Sequence, residues 1–128
     1  MYTEDIISEE EWYDRLRRDS NEVWVVDDGK GIVASLLLVE GRTNLRIEGI
    51  QVVRGAQRQG LGGMLLAHAA KRARTRGLGR LTLEVRRDNV GAIELYEKAG
   101  FQRFGTIPGY YEDGETAVRM RRGLGWKQ

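Results

Sequence analysis

Apolar residues fall along the chain in two rhythms, and the change between them divides it. From residue 22 to about residue 53 they come in short β-rich runs: Glu22 to Asp27 (EVWVVD), Ile32 to Val39 (IVASLLLV) and Leu45 to Val53 (LRIEGIQVV). These read as three strands, the third alternating only in part. Asp27-Asp28-Gly29-Lys30 is a turn signal that predicts a hairpin between the first two, and Gly41 to Asn44 turns the chain again. From Gln57 the rhythm is helical. Leu61, Leu65, Leu66, Ala69, Ala70 and Ala73 recur on one face of a helix reaching Arg76, which leaves Lys71, Arg72, Arg74 and Arg76 mostly on the wet side. Gly77 and Gly79 stop it. Leu81 to Val85 reads as a strand, Asp88 or Asn89 caps a second helix to Ala99, and Gly100 ends that helix. Phe101 to Gly105 and Ala117 to Arg121 are the last strands. Ahead of all of these, Ser8 and Glu11 have capping-box spacing and Trp12 and Leu16 lie four apart, predicting a short amphipathic helix over 9–18. The order is an antiparallel meander followed by β-α-β-α-β-β. It predicts an α/β fold with a mixed central sheet flanked by helices, without repeats or linkers.

Length and composition narrow what such a fold is for. At 128 residues the chain is expected to form one domain over 1–128, with one core and one site. No run approaches the roughly 20 apolar residues that span a bilayer, and MYTEDIISEEEW is acidic where a secretory signal is basic and then apolar. A cytoplasmic protein is expected. The absence of Cys excludes disulfides, thiolate metal sites and a cysteine nucleophile, and a single His gives no basis for a metal centre. The net charge of +2 is unevenly spread: residues 54 to 87 hold nine Arg and Lys against Glu84 alone. That bias suits a polyanion, either nucleic acid or a phosphorylated small molecule. Aromatics interleaved with the basic residues, which a single-strand binder uses for stacking, are missing between residues 71 and 76.

The segment Gln57-Arg58-Gln59-Gly60-Leu61-Gly62-Gly63 lies between a strand and a helix. Glycines let backbone approach a ligand closely, and first-turn N–H groups have no intrahelical partner, so such a turn can hold phosphate oxygens at the positive end of the helix dipole. A merely flexible turn would carry the same glycines. Neither a Walker loop nor the G-x-G-x-x-G dinucleotide spacing is present. Glu84 faces opposite the leucines of its strand, where a carboxylate is costly unless paired, for instance with Arg86, or used in chemistry. Tyr96 shares a helical face with Ala92, Leu95 and Ala99, which core packing alone explains. His68 reads as a surface residue of the basic helix.

Gln57-x-x-Gly60-x-Gly62 resembles the Q/R-x-x-G-x-G/A signature of the GNAT acetyltransferases, and LEVRRDNVGAIELYEKAGF (83–101) resembles the second half of the same fold, most of all in its ribosomal-protein alanine N-acetyltransferase branch. The similarity runs from about Ile47 to Met120. It implies acetyl-CoA as acetyl donor. Ile50, Gln51 and Val52 would hydrogen-bond the pantetheine arm from a splayed strand, Gln57, Arg58, Gln59, Gly60, Leu61, Gly62 and Gly63 would hold the pyrophosphate, and Asn89 would contact the cofactor near the start of its helix. Tyr96 falls where that branch has the tyrosine that protonates the departing thiolate, and Glu84 where it has the carboxylate that helps deprotonate the amine. Glu48 competes as base, because other branches have theirs on the preceding strand; Tyr110 and Tyr111 would line the acceptor pocket. The chemistry agrees. An amine protonated at neutral pH must lose a proton before attacking a thioester, and a phenol near a leaving thiolate can return one.

The expected acceptor is a primary amine, with a protein N-terminal α-amine ahead of a small molecule. A non-catalytic acyl-CoA sensor or assembly subunit that keeps the cradle is the alternative from another class. Two features depart from the pattern. Val52-Val53-Arg54-Gly55-Ala56 stands where the family often has V-x-P-x-Y, and about 46 residues precede the third strand, fewer than the family usually has. In the family those N-terminal elements form one wall of the acceptor site, and a compensating homodimer interface is expected here.

Overall fold

The computed structural model of the chain describes residues 6–8 and 21–125, so the helix expected over 9–18 lies outside the described residues. In chain order the elements are β1 (Ile6–Ser8), β2 (Asn21–Asp27), β3 (Ile32–Glu40), β4 (Asn44–Val52), one 3-10 turn (Arg54–Ala56), α1 (Leu61–Thr75), β5 (Arg80–Arg86), α2 (Val90–Lys98), β6 (Gln102–Ile107) and β7 (Ala117–Gly123). The strands form one mixed sheet ordered β1-β2-β3-β4-β5-β7-β6. This is the expected order with one addition, the three-residue β1 paired antiparallel to β2. Three residues are too few to carry a period, so the sequence pattern does not reveal it. Among the described residues no helix is long and apolar enough to cross a membrane.

One face of the sheet carries both helices and the core. Val26, Ala34, Leu36, Leu38, Leu45, Ile47, Leu81, Leu83 and Val85 meet all six apolar positions expected of α1, from Leu61 to Ala73. Each fully buried leucine contributes roughly 1.5–3 kcal/mol of transfer free energy.

Three basic-helix residues sit differently from expectation. Arg72 and Arg76 turn inward, because Glu22 of β2 is only 1% exposed beneath them. Arg72 donates to its two oxygens at 2.8 and 3.0 Å, Arg76 donates at 2.5 Å, and Trp24 Nε1 donates at 2.6 Å. Burial alone would raise the Glu22 pKa; the hydrogen bonds from Arg72, Trp24 and Arg76 outweigh it and hold the group at about 2. His68 is not a plain surface residue either. Its ring stands edge-on to Trp24 with centroids 4.3 Å apart, and its Nε2 is buried. Burial, then the charges of Arg72 and Lys71, lower its pKa.

The feature that creates a site is a parting of β4 from β5. They pair in parallel only where Asn44–Arg46 meet Arg80–Thr82, although β4 runs on to Val52 and β5 to Arg86. The cause lies on the other edge of β4. Leu38 opposes Ile47 but Leu37 opposes Gly49, so Glu48 is an extra residue, a bulge that bends β4 away. The bulge also shifts the side-chain phase: Leu45 and Ile47 face the core before it, Ile50 and Val52 after it. That shift is why the run alternates only in part.

Candidate active site

The glycine turn leads from the open end of β4 into α1. Gln57 braces it by donating from Nε2 to the Val52 carbonyl at 3.2 Å. Arg58 has φ +68°, a left-handed conformation unusual for a side-chain-bearing residue, and Gly60, at the N-cap, has φ +79°. No side chain caps α1, and the first intrahelical bond runs from Met64 N–H to the Gly60 carbonyl at 3.0 Å. The amides of Leu61, Gly62 and Gly63 therefore point out of the helix end. A Cβ built at Gly60 or Gly63 would meet nothing within 4 Å, so neither position is closed by packing, and the unpartnered amides are a donor set suited to phosphate oxygens. Gly62 is different: a Cβ there would lie 3.0 Å from Leu95 Cδ2, so its bareness serves the contact between α1 and α2.

That contact joins the cradle to α2. Asn89 caps α2 by accepting from Ala92 N–H at 3.1 Å, which fixes its carboxamide and leaves the NH2 end to donate outward. Tyr96 lies two turns further on, 8% exposed, its ring 5.9 Å from that of Phe101. Burial, with the neighbouring Tyr111, raises its pKa and keeps the phenol protonated at neutral pH. Gly63, Ala67, Leu95, Lys98, Ala99 and Arg122 line a cleft of about 230 Å³ between the helices, which shares Gly63 with the cradle.

The opposite face of the sheet holds the candidate bases. Glu84 points away from the leucines, as expected, but its partners are Arg46 Nη2 at 2.7 Å and Arg119 Nε at 3.6 Å. Arg86, expected as a partner, instead pairs with Asp88 and Asp113 and lies over the Tyr111 ring. The Glu84 side chain is 8% exposed and that of Glu48 is 43% exposed. Arg46 joins these groups: Glu48 lies 3.2 Å from its Nε, and its Nη2 donates to the Tyr110 hydroxyl at 3.3 Å. The Arg46–Glu84 contact is close but poorly aligned, so Glu84 Oε1 is buried without a well-formed hydrogen bond and keeps acceptor capacity. Tyr110 and Tyr111 pack edge to face at 4.9 Å beside this cluster. The structure thus brings Glu48, Glu84, Tyr110 and Tyr111 together on one face, and the 57–63 turn, Asn89 and Tyr96 on the helical side.

Arg46 and Arg119 were missed because nothing local marks them. They reach Glu84 only through the sheet register, Arg119 directly opposite Glu84 and Arg46 opposite Thr82.

Residues 2–101 match the Acetyltransferase (GNAT) family. The chain is 49% identical over 67 residues to the [ribosomal protein bS18]-alanine N-acetyltransferase of Salmonella typhimurium, covering 50% of this chain and 45% of that one. It is 41% identical over 80 residues to the streptothricin acetyltransferase of Streptomyces lavendulae, covering 59% and 42% respectively. The matched part spans less than half the length of these curated relatives. The crystal structure of the ribosomal-protein-S18-alanine N-acetyltransferase from Escherichia coli superposes with a TM-score of 0.80 at 28% identity, covering 92% of this chain and 78% of that one.

Proposed function

Because the chain belongs to the Acetyltransferase (GNAT) family, we propose that it transfers the acetyl group of acetyl-CoA to a primary amine by direct attack in a ternary complex. The observation that carries this reading is the open amide cradle at residues 57–63, locked by Gly62 and Leu95 to the helix that bears Tyr96. Acetyl-CoA supplies the acetyl group as an activated thioester. The turn from Gln57 to Gly63 holds its diphosphate, the freed edge of Ile50, Gln51 and Val52 aligns the pantetheine, and Asn89 donates to it. Tyr96, neutral and buried, holds a proton at its hydroxyl for the departing sulfur. Glu84 takes the amine proton, through water, at its under-used Oε1. Glu48 is exposed and shares Arg46, and it is the second candidate for that role. Holding both reactants across the β4–β5 gap supplies much of the remaining acceleration.

A protein N-terminal α-amine is the first choice of acceptor, supported by the Tyr110-Tyr111 loop and by the likeness to the bS18-alanine enzymes. A small-molecule amine is second, supported by the streptothricin acetyltransferase relative. Incubation with acetyl-CoA and a panel of peptides and polyamines, with release of free thiol followed, tests both. The expected result is turnover that drops in Tyr96→Phe and Glu84→Gln. Tight cofactor binding without turnover of any amine would leave a non-catalytic acyl-CoA sensor.

A further inference from the structure

Beyond Glu84, the face that bears it carries an excess of positive charge. On that face Arg46, Arg119 and Arg121 stand against Glu84 and Glu48. Arg119 opposes Glu84 and Arg121 opposes Thr82 in the β5–β7 register, so the two arginines share a face and follow one another along β7. Phe104 holds them. It is the extra residue of a bulge in β6, where Arg103 opposes Met120 but Gly105 opposes Arg119. Both guanidinium carbons lie 4.7 Å from its ring centre. A guanidinium stacked on a ring is oriented, and it keeps its in-plane N–H edge for a carboxylate. Arg119 is shared with Glu84, whereas no carboxylate among the described residues pairs with Arg121, which is exposed.

We infer that Arg119 and Arg121, steadied by Phe104, form an anion subsite of the acceptor pocket, so that the preferred acceptor is an amine carrying a carboxylate. This rests on the reading of Glu84 as the group that receives the amine. Arg121 lies two residues along the strand from the Arg119–Glu84 pair, which sets the spacing between amine and carboxylate at roughly 7 Å. An acidic side chain at the second position of a peptide has that spacing, given about 3.8 Å between successive Cα atoms and the reach of the side chain. An ω-amino acid of matching length has it too. Polyamines place a second cation there and are disfavoured.

The test uses the full chain, acetyl-CoA and peptides alike except for Asp, Asn or Lys at position two, together with 5-aminopentanoate and its amide. The Asp peptide is expected to exceed the Asn peptide about tenfold in kcat/KM, chiefly through KM, with Lys lowest, and added salt should narrow the gap. A matching preference for 5-aminopentanoate over its amide assigns the subsite to small acceptors; confinement of the preference to peptides assigns it to polypeptide. Arg121→Gln should bring the Asp-to-Asn ratio toward one, and Arg121→Lys, which keeps the charge but not the stacked planar edge, should keep only part of it. Equal rates for Asp and Asn, or a ratio that survives Arg121→Gln, would overturn the subsite and leave the acetyltransfer reading standing. Should no acceptor turn over, that reading fails. Calorimetric binding then decides the subsite: an Asp preference lost in Arg121→Gln supports it, and equal or absent binding overturns it.

Discussion

The two faces of this one sheet follow different rules. Beneath α1 and α2 the strands present Leu36, Leu38, Leu45, Leu81 and Leu83, almost entirely buried, and the polar features there are the Glu22–Arg72–Arg76 cluster and the backbone amides at a helix end. Across β4, β5 and β7 the other face presents Arg46, Glu84 and Arg119, paired through side chains, and Arg121, stacked on Phe104. Backbone amides locked by core packing are pre-set and tolerant of side-chain change, which suits a ligand of fixed structure such as a coenzyme. Side-chain charges are adjustable one residue at a time, which suits a variable acceptor. The gap between β4 and β5 is where the two meet.

The largest expected effect joins the faces through Tyr96. Tyr96→Phe removes the hydroxyl and little volume, so kcat should fall by on the order of 10²–10⁴ with coenzyme A affinity kept, measured by steady-state rates and calorimetry. Unchanged kcat would remove the proton donor from the account. The next effect separates scaffold from site. The Glu22 carboxyl is held at about 2 against an ordinary 4.5. Because the folded value is the lower one, its stabilisation is complete above about pH 4.5 and lost as pH falls toward about 2, a change of up to about 3 kcal/mol. Urea unfolding across that window should show the loss in the native chain and a flatter profile in Glu22→Gln. The smallest effect distinguishes adjacent glycines. Gly62→Val crowds Leu95 and should cost roughly 1–3 kcal/mol. Gly63→Ala enters open space and should be neutral or stabilising by up to about 1 kcal/mol.

Local features were legible in the sequence, and relations across the sheet were not. The buried face of α1, the Asn89 cap and the strand–turn–helix setting of Gly60 all follow from spacing within a few residues. The Glu48 bulge left only a broken alternation, because one inserted residue exchanges the faces of everything after it. The inward turn of Arg72 and Arg76 depends on a carboxylate 50 and 54 residues away. The Arg46–Glu84–Arg119 cluster depends on three strands in register. Gly62 and Gly63 look alike in sequence, and only the position of Leu95 tells them apart.

The proposed acetyl transfer depends on the amides of the 57–63 turn holding the diphosphate of coenzyme A. Calorimetric titration of the full chain with coenzyme A, beside Gly63→Asp, tests it most directly. The substitution fits the open space at Gly63 and favours the helix end electrostatically, so the fold should be as stable as before while a carboxylate stands before the amides. Saturable one-to-one binding to the native chain is expected, at least about tenfold weaker in Gly63→Asp. No binding to the native chain, or equal binding to both, would contradict it.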